Sequence, residues 1–93
     1  MSMNKLINMT AGPFGVWGAE KEIYNVFGEN VGCKVSIFEN NTNGNIRIQV
    51  RHNTDVSSKD WYDYIENEYI KAQVIHCRLS SNSTGGSVVI KVV

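Results

Sequence analysis

The stretch that decides the fold class is residues 33–51, which reads CKVSIF at 33–38, ENNTNGN at 39–45 and IRIQVR at 46–51. Apolar and polar residues alternate on both sides of a segment rich in asparagine and glycine. Alternation with period two is typical of a half-buried β-strand. Two such runs around an Asn–Gly turn predict a β-hairpin, and with it a β protein.

One face of the predicted hairpin is apolar and belongs to the core, and the opposite face is polar. The expected core residues are Val35, Ile37, Ile46, Ile48 and Val50. Two registers stay open. The first pairs Val35 with Val50 and Ile37 with Ile48. The second, built on a two-residue Asn43–Gly44 turn, pairs Ile37 with Val50 instead.

Further strands are predicted at residues 6–10, 20–27, 71–79 and 87–93. Residues 61–70 are ambiguous. Their aromatic content favours a strand, whereas a capping box at Ser57 and Asp60 leaves a short helix near residues 58–67 open. The expected fold is an all-β, small single-domain antiparallel sandwich or barrel-like fold of about five to seven strands.

Length and composition limit the classes of protein. The 93 residues are 42% hydrophobic and 19% charged, which is typical of one globular domain spanning residues 1–93. Nine basic and nine acidic residues cancel, so no general nucleic-acid binding is expected. No apolar run approaches the ~20 residues of a membrane span. Residues 1–8 show no signal-peptide pattern, so the chain is expected to be cytoplasmic, or secreted without a visible signal peptide.

The cysteine and histidine residues give little indication of chemistry. Cys33 and His52 face each other in the first register, and Cys77 also points inward. These three residues lack the short spacing of a zinc site, so we expect no metal, no cofactor and no enzymatic activity. Two buried free thiols are favoured over one disulfide, and the pattern does not exclude the bridge.

The aromatic residues in or near loops are the main candidates for binding. Phe14 and Trp17 lie in a glycine-rich loop, and a second group lies in an acidic segment at Trp61, Tyr62 and Tyr64. Aromatic rings beside carboxylates and amides suit sugar hydroxyls or a partner surface. The favoured function is therefore a non-catalytic, lectin-like binding module for a carbohydrate or a partner protein.

A second candidate surface is the polar face of the predicted hairpin. In that hairpin Lys34 and Phe38 share a face with Arg47 and Arg51, which suggests an anionic ligand.

Two alternative functions remain open. The last predicted strand, residues 87–93, is apolar on both faces except at Lys91, which favours a homo-oligomer assembled through that strand. A small inhibitor or immunity-type protein that blocks a partner enzyme is the further alternative.

Overall fold

The computed structural model describes residues 5–24, 32–52, 61–72 and 74–93. Every regular element in these ranges is a β-strand, which confirms the all-β fold class. The strands are β1 (Lys5–Gly12), β2 (Lys21–Tyr24), β3 (Val35–Asn40), β4 (Ile46–His52), β5 (Tyr62–Tyr64), β6 (Val74–Ser81) and β7 (Gly86–Val92). Within the same ranges, no helix has the length and apolar character needed to cross a lipid bilayer.

The seven strands form one curled sheet with the shape of a half-barrel. The strand order is β3-β7-β1-β6-β4-β5, and β2 pairs with β6 outside this path. Strand β1 runs parallel to β6, with Ala11 opposite Leu79 and Gly12 opposite Ser80. The other named pairs are antiparallel, so the sheet is mixed.

The predicted hairpin between residues 33–38 and 46–51 is wrong, because its two strands form but do not pair. Strand β3 pairs with β7, whereas β4 pairs with β6 and β5. Both registers considered for the hairpin are therefore wrong as well. The chain passes from β3 to β4 across the ends of the strands that lie between them in the sheet.

Local hydrogen bonds explain why residues 41–45 form an open arch rather than a tight hairpin turn. The Asn40 side chain accepts from the Thr42 backbone N–H at 2.9 Å and donates to the Gly44 carbonyl at 2.7 Å. The arch then rests on the connection between β6 and β7, where the Asn45 N–H donates to Asn82 Oδ1 at 2.8 Å. An Asn-rich turn thus satisfies its backbone through side chains and a second turn, without cross-strand bonds.

Cys33 and His52 lie apart, because β3 and β4 do not pair. The backbone of Cys33 forms an isolated antiparallel β-bridge with Ile70. His52 is paired with Ile75 on β6. The predicted face-to-face position of Cys33 and His52 is therefore wrong.

The core lies on the inner side of the curled sheet, and alternation places its residues there as predicted. Strand β7 contributes Val88, Ile90 and Val92, each no more than 1% exposed. The other buried hydrophobic side chains are Met9, Ala11, Ile23, Cys33, Val35, Ile48, Val50, Tyr64, Ile70, Ala72, Ile75, Cys77 and Leu79. Ile37 and Ile46 pack against this core and are partly buried.

The short helix left open near residues 58–67 is absent from the part that the structure describes. Residues 62–64 form β5, and a turn follows at residues 66–67. Residues 58–60 lie outside the described ranges. Pairing of Tyr62 with Val50 and of Tyr64 with Ile48 holds this segment extended.

Side chains from β5 and from the turn after it bind the free edge of β3. The Tyr64 hydroxyl accepts from the Val35 N–H at 2.9 Å and donates to the Glu68 carbonyl at 2.6 Å. The Glu66 carboxylate accepts from the Ile37 N–H at 3.1 Å. These contacts occupy backbone groups that an edge strand would otherwise present to another chain.

Candidate binding face of arginine and tryptophan side chains

The candidate site begins on the outer side of strands β4 and β6. Gln49 lies opposite Arg78 in the ladder, and Arg47 and Arg51 flank Gln49 on β4. Successive side chains point to opposite sides of a sheet, so these four face outward. Their neighbours in sequence are in the core, namely Ile48, Val50, Cys77 and Leu79.

Two tryptophan rings lie against these arginines and form a continuous chain of contacts, which we call the arginine–tryptophan row. Its order is Arg47, Trp17, Arg78, Trp61, Arg51. The Arg78 guanidinium carbon is 4.8 Å from the ring centre of Trp17 and 4.3 Å from that of Trp61. Arg47 is 5.4 Å from the Trp17 ring, and Arg51 is 5.1 Å from the Trp61 ring. All four contacts are within the range of a cation–π interaction.

Arg47 is held by a carboxylate on β5. Its Nη2 donates to both oxygens of Asp63, at 3.1 and 3.2 Å, and Gln49 Nε2 also donates to that carboxylate at 3.2 Å. The hydrogen bond from Arg47 lowers the pKa of Asp63, with a smaller contribution from Gln49. Asp63 is therefore ionised at neutral pH and acts as a hydrogen-bond acceptor.

Arg51, at the other end of the row, is paired with Glu20. Its Nη2 lies 3.3 Å from Glu20 Oε1, and His76 Nδ1 lies 3.8 Å from the same oxygen. Arg51 Nε is buried and has no hydrogen-bond partner among the described residues. The guanidinium group of Arg51 is therefore held by the ion pair with Glu20 and by its contact with the Trp61 ring.

Arg78, at the centre of the row, has a neutral hydrogen-bond partner. Its Nε and Nη2 donate to Gln49 Oε1, at 3.0 and 2.6 Å. Within the described ranges no carboxylate pairs with Arg78. Its guanidinium group is thus fixed in position by two indole rings and one amide, and none of the described residues neutralises its charge.

The loop at residues 13–17 positions Trp17 and Phe14. Its backbone is fastened to the end of β6, because the Phe14 N–H donates to the Ser83 carbonyl and the Gly15 N–H to the Ser81 carbonyl, both at 2.9 Å. Where the loop leaves and rejoins the sheet, the backbone approaches so closely that a Cβ at Gly18 would lie 2.1 Å from the Thr10 carbonyl oxygen. Only glycine allows this return.

Phe14 is exposed and conformationally constrained. Its side chain is 70% exposed, and its φ of 46° lies in the left-handed region. Bulky residues seldom adopt that region, which costs about 1–3 kcal/mol at functional sites. Phe14 is therefore solvent-accessible, on a backbone that is fastened to Ser83.

A pocket of about 460 Å³ lies beside Phe14, at the ends of β4 and β6. Its lining residues are Phe14, Gly15, Asn45, Ile46, Arg47, Ser80, Ser81 and Asn82. Arg47 belongs both to this pocket and to the arginine–tryptophan row, so the two form one continuous surface. Asn45 and Asn82 add amide groups to the lining of the pocket, and Asn82 Oδ1 already accepts from the Asn45 N–H.

The structure brings together five of the predicted site residues and separates the other four. Those in the pocket or the row are Phe14, Trp17, Trp61, Arg47 and Arg51. Tyr62 lies on β5 and is exposed, whereas Tyr64 is 7% exposed and belongs to the core. Lys34 and Phe38 belong to the β3 end of the sheet, where Lys34 lies over the Tyr69 ring at 4.6 Å. Strands β7, β1 and β6 separate β3 from β4, so Lys34 and Phe38 do not lie beside Arg47 and Arg51 as the predicted hairpin required.

Sequence reasoning missed Arg78, Asn45 and Asn82. Alternation correctly placed Arg78 on the outer side of its strand, but nothing in the sequence paired that strand with residues 46–51. In the sequence, Asn45 and Asn82 are typical turn residues and carry no sign of a binding role. The signal that would have found them is a long-range one, the pairing of β4 with β6.

The thiols lie apart from this surface. Burial raises the pKa of Cys77 to about 12 and also raises that of Cys33, so both are protonated and unreactive at neutral pH. They are free cysteines in the structure. Among the described residues, no three His, Cys, Asp or Glu side chains are grouped in a way that would hold a metal ion.

No protein-family model matches this sequence, and comparisons with curated proteins and with solved structures gave no significant match.

Proposed function

We propose that this chain is a non-catalytic carbohydrate-binding module whose sugar occupies the pocket beside Phe14. The observation that carries the proposal is an exposed aromatic ring, held at a constrained φ, beside planar polar side chains. One face of a sugar ring presents C–H groups that pack on an aromatic ring. Its hydroxyls then require donors and acceptors around the edge of the pocket.

The polar groups around the pocket fit that requirement. Asn45 and Asn82 each carry an amide, which donates and accepts. Arg47 also lines the pocket and adds donor groups, and it is already oriented by Asp63. A small number of placed polar groups beside an apolar surface is typical of small-ligand sites.

The charge states of Asp63 and of the two core thiols support binding without catalysis. Asp63 is ionised and hydrogen-bonded, so it is a poor proton donor. The thiols of Cys33 and Cys77 are protonated and buried in the core. Neither thiol is a thiolate nucleophile at neutral pH, and the Asp63 carboxylate is occupied by hydrogen bonds from Arg47 and Gln49.

The test is a glycan array probed with the purified chain, followed by calorimetric titration of the best ligand. We expect Phe14→Ala to weaken binding about tenfold or more, because the stacking surface is lost. The matched control is Phe38→Ala, since Phe38 is also exposed but lies on β3. Absence of glycan binding, or an equal loss in both variants, would contradict the proposal.

A partner protein is the second candidate, supported by the composition of the same surface. Phe14 and Val16 are both exposed in one loop, and tryptophan and arginine are enriched at interface hot spots. In that case no glycan binds, and Phe14→Ala abolishes a complex with a purified partner that Phe38→Ala retains.

Self-assembly and an inhibitory role stay predictions. Self-assembly was predicted through strand β7. That strand is hydrogen-bonded on both edges, to β1 and β3. Its residues Val88, Ile90 and Val92 are buried within this chain. Sedimentation of the purified chain tests self-assembly, and a clean monomer at high concentration contradicts it.

A further inference from the structure

The charges along the arginine–tryptophan row are unevenly paired. Arg47 and Arg51, at its ends, each contact a carboxylate. Among the described residues, the hydrogen-bond acceptor of Arg78, at its centre, is the amide oxygen of Gln49. The centre of the row therefore carries a positive charge that the described residues do not neutralise.

We propose that the ligand is an acidic glycan, and that its carboxylate or sulfate group binds at Arg78 while a neighbouring sugar occupies the Phe14 pocket. This inference rests on the proposed carbohydrate-binding function and specifies its ligand. Arg47 connects the pocket to Arg78. It lines the pocket and contacts Trp17, and Trp17 in turn contacts Arg78.

The geometry of Arg78 suits an oxyanion. Nε and Nη2 already donate to Gln49, so the guanidinium plane is fixed before a ligand arrives. Nη1 has no acceptor among the residues that the structure describes, and a planar guanidinium recognises carboxylate and sulfate oxygens through charge-assisted hydrogen bonds. Since the side chain is already ordered, binding costs less conformational entropy than it would at a free surface arginine.

The tryptophan rings favour this ligand over a single-stranded nucleic acid. Nucleic-acid binding of that kind depends on bases stacking upon open aromatic faces. Trp17 is contacted by Arg47 and Arg78, and Trp61 by Arg51 and Arg78. Each ring thus uses its surface to hold guanidinium groups, which leaves the guanidinium edges, rather than the rings, to meet the ligand.

The first experiment compares matched oligosaccharides that differ only in charge. One pair is a uronic-acid oligosaccharide and its carboxyl-reduced form, and the other is a sulfated oligosaccharide and its desulfated form. The chain contains two tryptophans, both in the row, so intrinsic fluorescence reports on the site. We expect the acidic member of at least one pair to bind about tenfold tighter or more, with an advantage that shrinks as salt is added.

Variants then assign the effect to Arg78. We expect Arg78→Gln to lower affinity for the acidic member about tenfold or more, so that the ratio of acidic to neutral affinity falls to about one. Lys34→Gln is the matched control, because Lys34 also contacts an aromatic ring but lies at the β3 end of the sheet. If Arg78→Gln does not fold, Arg78→Lys serves instead. It keeps the charge but loses the planar fork, so an intermediate affinity is expected.

The outcomes that overturn the proposal are distinct. Equal binding of acidic and neutral members contradicts an acidic ligand and leaves the carbohydrate-binding function standing. Absence of binding by every oligosaccharide contradicts both. Tighter binding of an oligoglutamate peptide or a single-stranded oligonucleotide shows that the ligand class is wrong. An acidic preference that survives Arg78→Gln removes Arg78 as its cause.

Discussion

The inner and outer sides of the β4–β6 pair differ in what holds their side chains. Inward-facing Ile48 and Leu79 are buried and packed in the core. Outward-facing Arg47 is 63% exposed and is held by ion-pair and cation–π contacts. These residues alternate along the same strands, so structural and candidate binding roles change from one residue to the next. Substitutions at adjacent positions therefore separate stability from binding.

The largest effect is expected on the inner side. Leu79→Ala should lower the free energy of unfolding by about 2–5 kcal/mol, because it leaves a cavity in the core. Arg78→Gln, one residue away, should cost about 1–2 kcal/mol, since it loses two cation–π contacts of about 0.5–1 kcal/mol each. Urea denaturation of both variants makes the comparison. Equal losses would mean that the row is as important for stability as the core.

A smaller effect is expected where the β3 edge meets the Tyr64 hydroxyl. Tyr64→Phe should cost about 1–3 kcal/mol, because the buried Val35 N–H loses its acceptor. Tyr69→Phe is the control, since Tyr69 is 67% exposed, and should stay within about 0.5 kcal/mol of the parent. Thermal and urea unfolding measure both variants. A neutral Tyr64→Phe would show that the hydroxyl does not stabilise this edge.

The inner side also predicts a loss of stability at alkaline pH. Burial raises the pKa of Cys77 to about 12, above the ordinary thiol value of about 8.5. Below that ordinary value both states hold the proton, and the contribution of Cys77 to stability is fully present. As pH rises, the unfolded state loses its proton first, so the free energy of unfolding falls progressively toward pH 12.

Urea denaturation at about pH 8 and about pH 10 tests this direction. Cys77→Val removes the ionisable group and should reduce the decline, although Cys33 and Tyr64, whose pKa values burial also raises, act in the same sense. A thiol reagent should label the folded chain much more slowly than the unfolded chain. Rapid labelling of folded protein would contradict the buried position of both thiols.

The smallest effect is expected at Asp63 on the outer side. The hydrogen bond from Arg47 lowers the pKa of Asp63. Its contribution to stability is therefore present above its unfolded-state pKa, and is lost as pH falls through the lower folded value. The carboxylate is 61% exposed, so solvent screening keeps this contribution small. An NMR titration should show an Asp63 midpoint that rises in Arg47→Gln, and an unchanged midpoint would contradict the pairing.

Alternation along the sequence was sufficient to predict the strands and most of the core. It placed Val50, Cys77 and Ile90 inside the fold without any knowledge of pairing. It failed at residues 41–45, where an Asn–Gly pair is typical of a hairpin. Hydrogen bonds from this turn to Asn82 and Ser83 favour the open arch over a hairpin turn. They join segments about forty residues apart.

The sequence indicated which types of residue form the candidate site, but it did not show which of them lie together in the fold. Trp17 and Trp61 stood out as aromatic residues near loops, and Arg47 and Arg51 as outward cations. Arg78 did not stand out, because its importance comes from lying opposite Gln49 and against both rings. Pairing over such a separation leaves no local signature in one sequence.

The position of β1 in the sheet has a consequence for how the chain folds during synthesis. Strand β1 is made first of the seven, yet its partners β6 and β7 are made last, and Lys5 lies opposite Val92. Its backbone donors and acceptors must therefore wait for nearly the whole length of the described chain to leave the ribosome. Such long-range pairing makes folding slow and leaves β1 open to aggregation until β6 and β7 have been synthesised.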